Sequence, residues 1–149
     1  VATIVEENVA GVRVVKGFAA EEQQIDHLAR AALSLRWANV VTADTDEEAA
    51  RLFTTQQQAF VNLRRGRQGL VPPPLESAAA IDDYCTPAEK HMIDSTLACR
   101  AVGSPATVRA AMQAFVERHR PDELILTANI FDHAARVRSF ELTMDAWTA

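Results

Sequence analysis

The sequence predicts an α/β fold, and three observations carry that reading. From about residue 38 onward, short β-prone runs alternate with stretches of helical apolar periodicity. Several of the helical stretches open on residues suited to capping, and the connections between them carry Gly and Pro. The 149 residues, 48% hydrophobic and 23% charged, suffice for about one domain and are too apolar for a disordered tail. Alternation of strand and helix implies parallel strands with helices covering the sheet.

Residues 1 to about 38 hold few turn formers, Gly11 and Gly17, and place Ile25, Leu28, Ala32 and Leu35 on one helical face. A long amphipathic helix is expected there, with Glu22, Asp26 and Arg30 on its solvated side. The β-prone run at 38–44 predicts a first strand, ended by Asp44-Thr45-Asp46. Thr45 and Glu48 have the form of a capping box, so a helix begins there, with Ala49, Leu52, Phe53, Phe60 and Leu63 as its apolar stripe. Arg64-Arg65-Gly66-Arg67 ends it, cations at the negative helix end and glycine at the break.

Gly66, Gly69 and Pro72-Pro73-Pro74 predict an extended, mobile excursion over 66–86. Thr86-Pro87-Ala88-Glu89 is a second capping box, opening a helix that runs through Ile93 to Thr96. Residues 98–102 form a weak strand, and Ser104-Pro105 opens a helix with the stripe Val108, Ala111, Met112, Phe115 and Val116. The run 123–131 is the best strand in the chain and is expected to be buried on both faces. Asp132 caps a last helix, with Val137, Phe140, Met144 and Trp147 on one side. Three strands are too few for a closed (β/α)8 barrel or a full doubly wound sheet.

Composition excludes several functions. Twenty acidic against fifteen basic side chains give a net charge of −5, which supplies no field for nucleic acid. The two cysteines, Cys85 and Cys99, form neither a CxxC motif nor a zinc knuckle, and the four histidines at 27, 91, 119 and 133 show no close metal-ligand spacing, so no metal site is expected. No apolar run approaches the roughly 18 residues of a membrane span, and the acidic start is unlike a signal peptide. A cytoplasmic protein is expected, and open sheet edges with unmatched apolar faces predict a homo-oligomer.

Two stretches resemble known families. Thr45 through Leu52, Gln57 through Arg67 with the prolines at 72–74, Val102-Gly103-Ser104-Pro105, and Phe131 through Arg136 resemble, in order and spacing, the C-terminal third of luciferase-like flavin-dependent monooxygenases. That resemblance implies an incomplete (β/α)8 barrel over about 39–149, with 38–44, 98–102 and 123–131 as strands six to eight. It also implies reduced FMN as cofactor, a small organic substrate, O2, and a flavin reductase as partner. Glu7-Asn8-Val9-Ala10-Gly11, continuing through Val14-Val15-Lys16-Gly17-Phe18, is similar instead to the second cytoplasmic loop of an ABC exporter's transmembrane subunit, whose coupling helix docks on a nucleotide-binding domain. The two resemblances meet near 38–40, which predicts a chimeric junction, and Val1 in place of Met fits a fragment. The alternative functions are accordingly an exporter coupling segment and a self-associating helical module.

Active sites of barrel enzymes lie at the C-terminal strand ends, here Thr42-Ala43-Asp44, Val102-Gly103-Ser104, and Asn129 with Phe131 and Asp132. The turn at Gly103 and Ser104 could offer helix N-terminal donors to a flavin phosphate, although capping explains it equally well. Arg64, Arg65 and Arg67 suit an anionic substrate or cofactor group, with a solvated helix terminus as the alternative. The excursion beside them is the expected lid, by family resemblance. No catalytic residue is assigned, because most flavin contacts in the family come from earlier strands. The isolated chain is therefore expected to be inactive.

Overall fold

The computed structural model describes residues 35–67 and 69–148. The expected N-terminal helix up to residue 34 and the coupling-type segment Glu7 to Gly11 lie outside the described residues. The described elements are β1 (Leu35–Thr42), α1 (Asp46–Arg64), α2 (Ile81–Tyr84), α3 (Pro87–Thr96), β2 (Arg100–Gly103), α4 (Pro105–His119), β3 (Glu123–Thr127) and α5 (His133–Thr148). By Cα proximity the chain divides into two units. One comprises Trp37–Arg118 and Leu126–Ala149; the other takes Val1–Arg36 and His119–Ile125, including Arg120 with its left-handed φ of 44°.

The helix boundaries follow their local chemistry. Thr45 caps α1, its hydroxyl accepting from the Glu48 amide at 3.2 Å. The return half of the expected capping box is missing, because the Glu48 carboxylate is held bidentately by Arg51 at 2.8 and 2.7 Å. A charge-assisted fork outcompetes a single backbone N–H. Gly66, at φ 70°, ends α1 in a Schellman motif: its N–H donates to the Leu63 carbonyl at 3.1 Å, and that of Arg67 to Asn62 at 2.8 Å. The second capping box is complete, with Glu89 N to Thr86 Oγ1 at 3.3 Å and Thr86 N to Glu89 Oε2 at 2.8 Å. Asp132 caps α5 through the Ala135 amide at 2.7 Å.

The three strands form a sheet in the order β2-β1-β3. β1 and β2 run parallel, with Asn39 opposite Arg100 and Thr42 opposite Gly103. A barrel wound in one direction would put the second strand in the middle. Here the first strand is central and β3 lies against its other edge. β1 is accordingly covered on both faces. Val41 and Ala43 join Ala49, Leu52, Phe53, Ile81, Ile93, Leu97 and Ile130 in the core, while the alternate residue Thr42 meets α5 through a 2.6 Å hydroxyl contact with Thr143.

Several expectations shift. β1 begins at Leu35, inside the stretch read as helix, and ends at Thr42; β2 spans 100–103 rather than 98–102. β3 stops at Thr127 and alternates, with Ile125 48% exposed, so it is not buried on both faces. Ile130 still reaches the core, from irregular backbone. Leu63 on α1 is exposed. Most telling, α5 buries Ser139, Leu142 and Thr143 and leaves Val137, Met144 and Trp147 partly or largely exposed. Its apolar stripe faces outward.

The excursion climbs back along α1. Gln58 Nε2 donates to the Pro73 carbonyl at 2.9 Å, and the Leu75 amide to Thr54 Oγ1 at 2.8 Å. The chain then returns through α2 to Tyr84, whose hydroxyl donates to Asn62 Oδ1 at 2.7 Å. Ile81 and Cys85 enter the core on the way. The polar run Thr54 to Gln58 on α1, nearly all buried, is thus partly explained by the segment strapped over it.

Candidate functional site

The C-terminal ends of β1 and β2 come together around Asp46. Its carboxylate Oδ1 accepts from the Ser104 amide at 2.6 Å, joining the first turn of α1 to the turn that opens α4. Gly103, at φ 154°, leaves no room for a side chain: a Cβ there would lie 2.6 Å from Asp46 Oδ1 and 2.6 Å from Thr107 Cγ2. Ser104 Oγ contacts Thr107 Oγ1 at 3.1 Å. The Ser104 amide, with hydrogen bonds from the Thr107 and Ser104 hydroxyls, holds Asp46 below the ordinary carboxylate range.

This arrangement does not fit a flavin phosphate at Gly103 and Ser104. The Ser104 donor already serves the chain's own anion, and a phosphate beside ionised Asp46 would meet like charge. Asp46 was missed from sequence because it reads as a strand terminator, although an acidic residue in the first turn of a helix is a signal of local charge chemistry.

Beside Asp46 lies an open cavity of about 700 Å³, bounded by Thr45 to Glu48, Ala50 and Arg51 on one side and Glu76 to Ala79 on the other. That volume is in the range of small-molecule sites. Arg51 faces it already paired to Glu48, whose carboxyl the guanidinium holds below its usual range. The apex of the excursion, Glu76 to Ala79, therefore overhangs the end of α1 nearest the strand ends.

The three arginines lie elsewhere. Arg64 closes the 19-residue α1 whose first residue is Asp46, so at about 1.5 Å per residue the two ends stand roughly 27 Å apart. Arg65 is committed to a fork with Glu89, 2.7 and 2.8 Å, donates to the Tyr84 carbonyl at 3.0 Å, and lies over the Tyr84 ring at 5.3 Å. It anchors the base of the excursion rather than an anion. Arg64 and Arg67 are exposed at the same end.

Toward α5 and β3 the contacts of β1 run through hydroxyls and amides, with Asp44 and Arg138 as an exposed ion pair at 3.6 Å. The Thr42 amide donates to Ser139 Oγ at 2.8 Å, and Thr143 Oγ1 donates to the Ser139 carbonyl at 2.7 Å. Thr127 Oγ1 donates to Asn39 Oδ1 at 3.0 Å. Asn129, Phe131 and Asp132 are exposed. Burial raises the thiols of Cys85 and Cys99 above their usual range, which disfavours the nucleophilic thiolate. Among the described residues no group of three or more His, Cys, Asp or Glu side chains could hold a metal, and no helix is long and apolar enough to cross a membrane.

No protein-family model matches the chain. It is 41% identical over 107 residues to the luciferase-like monooxygenase of Escherichia coli strain K12, a match covering 72% of this chain and 31% of that protein. It is 37% identical over 108 residues to the uncharacterized protein YvbT of Bacillus subtilis strain 168, again 72% of this chain and 31% of the relative. The crystal structure of apo-MsnO8 is similar with a TM-score of 0.63 at 27% identity, covering 76% of this chain and 34% of that one. The chain thus spans about a third of the length of the curated relatives it matches, and these likenesses support a luciferase-like family for the stretch they cover.

Proposed function

We propose that residues 39–149 are the C-terminal third of a luciferase-like monooxygenase that oxidises an organic substrate with O2 and reduced FMN, with a flavin reductase as partner. The 41% identity over 107 residues to a protein of that name carries the reading. When bound, the flavin would supply the oxygen chemistry. This chain's own residues supply the frame: Asp46 ties the two strand-end turns together, and the apex Glu76 to Ala79 closes one side of the cavity. The lid role expected of the excursion moves to that apex, with Arg65 fixing its base.

The engagement of the Ser104 amide by Asp46 supports a reading in which the flavin contacts come from strand–helix units other than these three strands. The 149-residue protein alone should therefore leave FMN fluorescence unquenched, and stoichiometric binding would contradict this part of the reading. The family assignment has its own test: a chimera of the E. coli relative with its C-terminal third replaced by residues 39–149. Recovery of flavin binding and flavin-dependent oxidation supports it; a folded chimera that binds no flavin while the parent does would overturn it.

A further inference from the structure

Three features of the described residues depart from a (β/α)8 barrel in the same direction. First, β3 lies against the edge of β1 opposite β2, with Thr127 Oγ1 donating to Asn39 Oδ1 at 3.0 Å. In a barrel that edge belongs to the strand preceding β1. Second, α5 covers the face of β1 opposite α1. Val41 and Ala43 pack with Ala49, Leu52 and Phe53 of α1, while the alternate residue Thr42 meets Ser139 and Thr143 of α5. Barrel helices all form one outer ring. Third, α5 is turned inside out: Val137, Met144 and Trp147 are 43%, 50% and 38% exposed, while Ser139 and Thr143 are buried. A helix packed on a sheet ordinarily buries its apolar stripe.

We propose that β3 and α5 stand in for absent strand–helix units and transfer together when the barrel is completed. β3 leaves the β1 edge for the outer edge of β2, and a parallel strand of the preceding unit takes the vacated edge. α5 crosses to the side that α1 covers, with Val137, Phe140, Met144 and Trp147 turned onto the sheet. The inference rests on the barrel reading above, in which the chain supplies about a third of the length of its relatives. What holds the present arrangement is polar and replaceable. α5 is tied to β1 by the Thr42 amide on Ser139 Oγ at 2.8 Å, the Thr42–Thr143 hydroxyl contact at 2.6 Å and the exposed Asp44–Arg138 pair at 3.6 Å. Such neutral hydrogen bonds and exposed ion pairs are of modest net worth. The transfer gives them up for one further strand ladder and for removal of the stripe from water. β3 joins its neighbouring helices through the short links 120–122 and 128–132, so no regular element has to unfold.

The pair Asn39→Cys with Thr127→Cys reads the strand order. In the 149-residue protein it should oxidise to a disulfide. In the chimera of the E. coli relative carrying residues 39–149 it should stay reduced: two strand spacings separate the pair by about 9.6 Å, beyond the roughly 7 Å between Cα atoms that a disulfide spans. Peptide mapping by mass spectrometry scores both proteins. Met144→Glu reads the helix face. The urea midpoint of the 149-residue protein should not move, since that side chain is half in solvent, while that of the chimera should fall, because the carboxylate is carried into an apolar layer. A disulfide that forms equally in the chimera, or a Met144→Glu change that both proteins tolerate alike, overturns the proposal. So does a pair that stays reduced in the 149-residue protein. If the chimera does not fold, the same pair at the aligned positions of the intact E. coli relative carries the strand test, and oxidation there overturns the proposal equally. Flavin binding by the chimera reports the family reading separately: its loss with the pair still reduced counts against that reading and not against the strand transfer.

Discussion

Gly103→Ala puts one methyl group into the most crowded junction of the candidate site. The added Cβ would lie 2.6 Å from Asp46 Oδ1, 2.6 Å from Thr107 Cγ2 and 2.7 Å from Thr107 Cβ. None of these is the free end of a flexible chain, because Asp46 is held by the Ser104 amide and the Thr107 Cβ is fixed by α4. Overpacking of this kind costs about 1–3 kcal/mol. The backbone adds its own penalty, since φ 154° is a conformation other residues rarely adopt, at about 1–3 kcal/mol. The two together predict a loss of about 2–6 kcal/mol, or a fall in Tm of roughly 5–20 °C at this chain length. Gly66→Ala separates the two contributions: its φ is also positive, at 70°, yet nothing lies within 4 Å of the new Cβ. It should cost only about 1–2 kcal/mol. Urea unfolding followed by circular dichroism measures both variants. Equal losses for the two, or a Gly103→Ala loss under about 1 kcal/mol, would refute the crowding drawn around Asp46 and Thr107.

Ser139→Ala removes the acceptor of the buried Thr42 amide, and leaving that donor unpaired should cost about 1–3 kcal/mol in the same urea assay. Asn39→Cys with Thr127→Cys should form a disulfide on mild oxidation, because the native side chains touch at 3.0 Å; mass spectrometry showing both thiols still reduced would argue against β3 lying beside β1. Glu89 is held down to about 2, from 4.5, chiefly by the Arg65 guanidinium and then by the Thr86 amide. A carboxyl depressed in the folded state stabilises above its unfolded value and loses that contribution as pH falls. Acid titration of stability should therefore steepen between about pH 4.5 and 2, and Glu89→Gln should flatten that limb.

The parts of the fold legible in the sequence are those decided within a few residues. The complete cap of Thr86 and Glu89, the glycine stop at Gly66 and the Asp132 cap all involve partners three to five positions apart, so residue type and spacing suffice. The cap at Thr45 was half legible for the same reason in reverse. Arg51 lies only three residues from Glu48, and a competition between two local partners turns on geometry that spacing alone leaves open.

The candidate site was less legible. The spacing at Gly103 and Ser104 fits a helix cap and an anion cradle equally well, and the anion that the Ser104 amide meets, Asp46, comes from 58 residues away. The spacing of the three arginines fits an anion site or a solvated helix terminus, and Arg65 is engaged by Glu89 and Tyr84 at the end of α1 remote from the strand ends. Beyond the bond from the Thr54 hydroxyl to the Arg51 carbonyl, burial of Thr54 and Gln58 rests on the Leu75 amide and the Pro73 carbonyl, backbone groups of an excursion that folds back on the helix.

By itself the sequence determined the succession of strands and helices, most of their ends and the absence of a basic field, all set by local propensity and composition. It also carried the likeness to luciferase-like proteins over about a third of their length. Only the tertiary structure decided that β1 is central, that β3 takes its second edge and that α5 turns hydroxyls inward and its apolar stripe outward. A strand's alternation specifies two faces but not its neighbour, and a helix's stripe specifies a surface but not what covers it. Those choices are settled by which distant backbone donors need partners, as the Thr42 amide finds in Ser139.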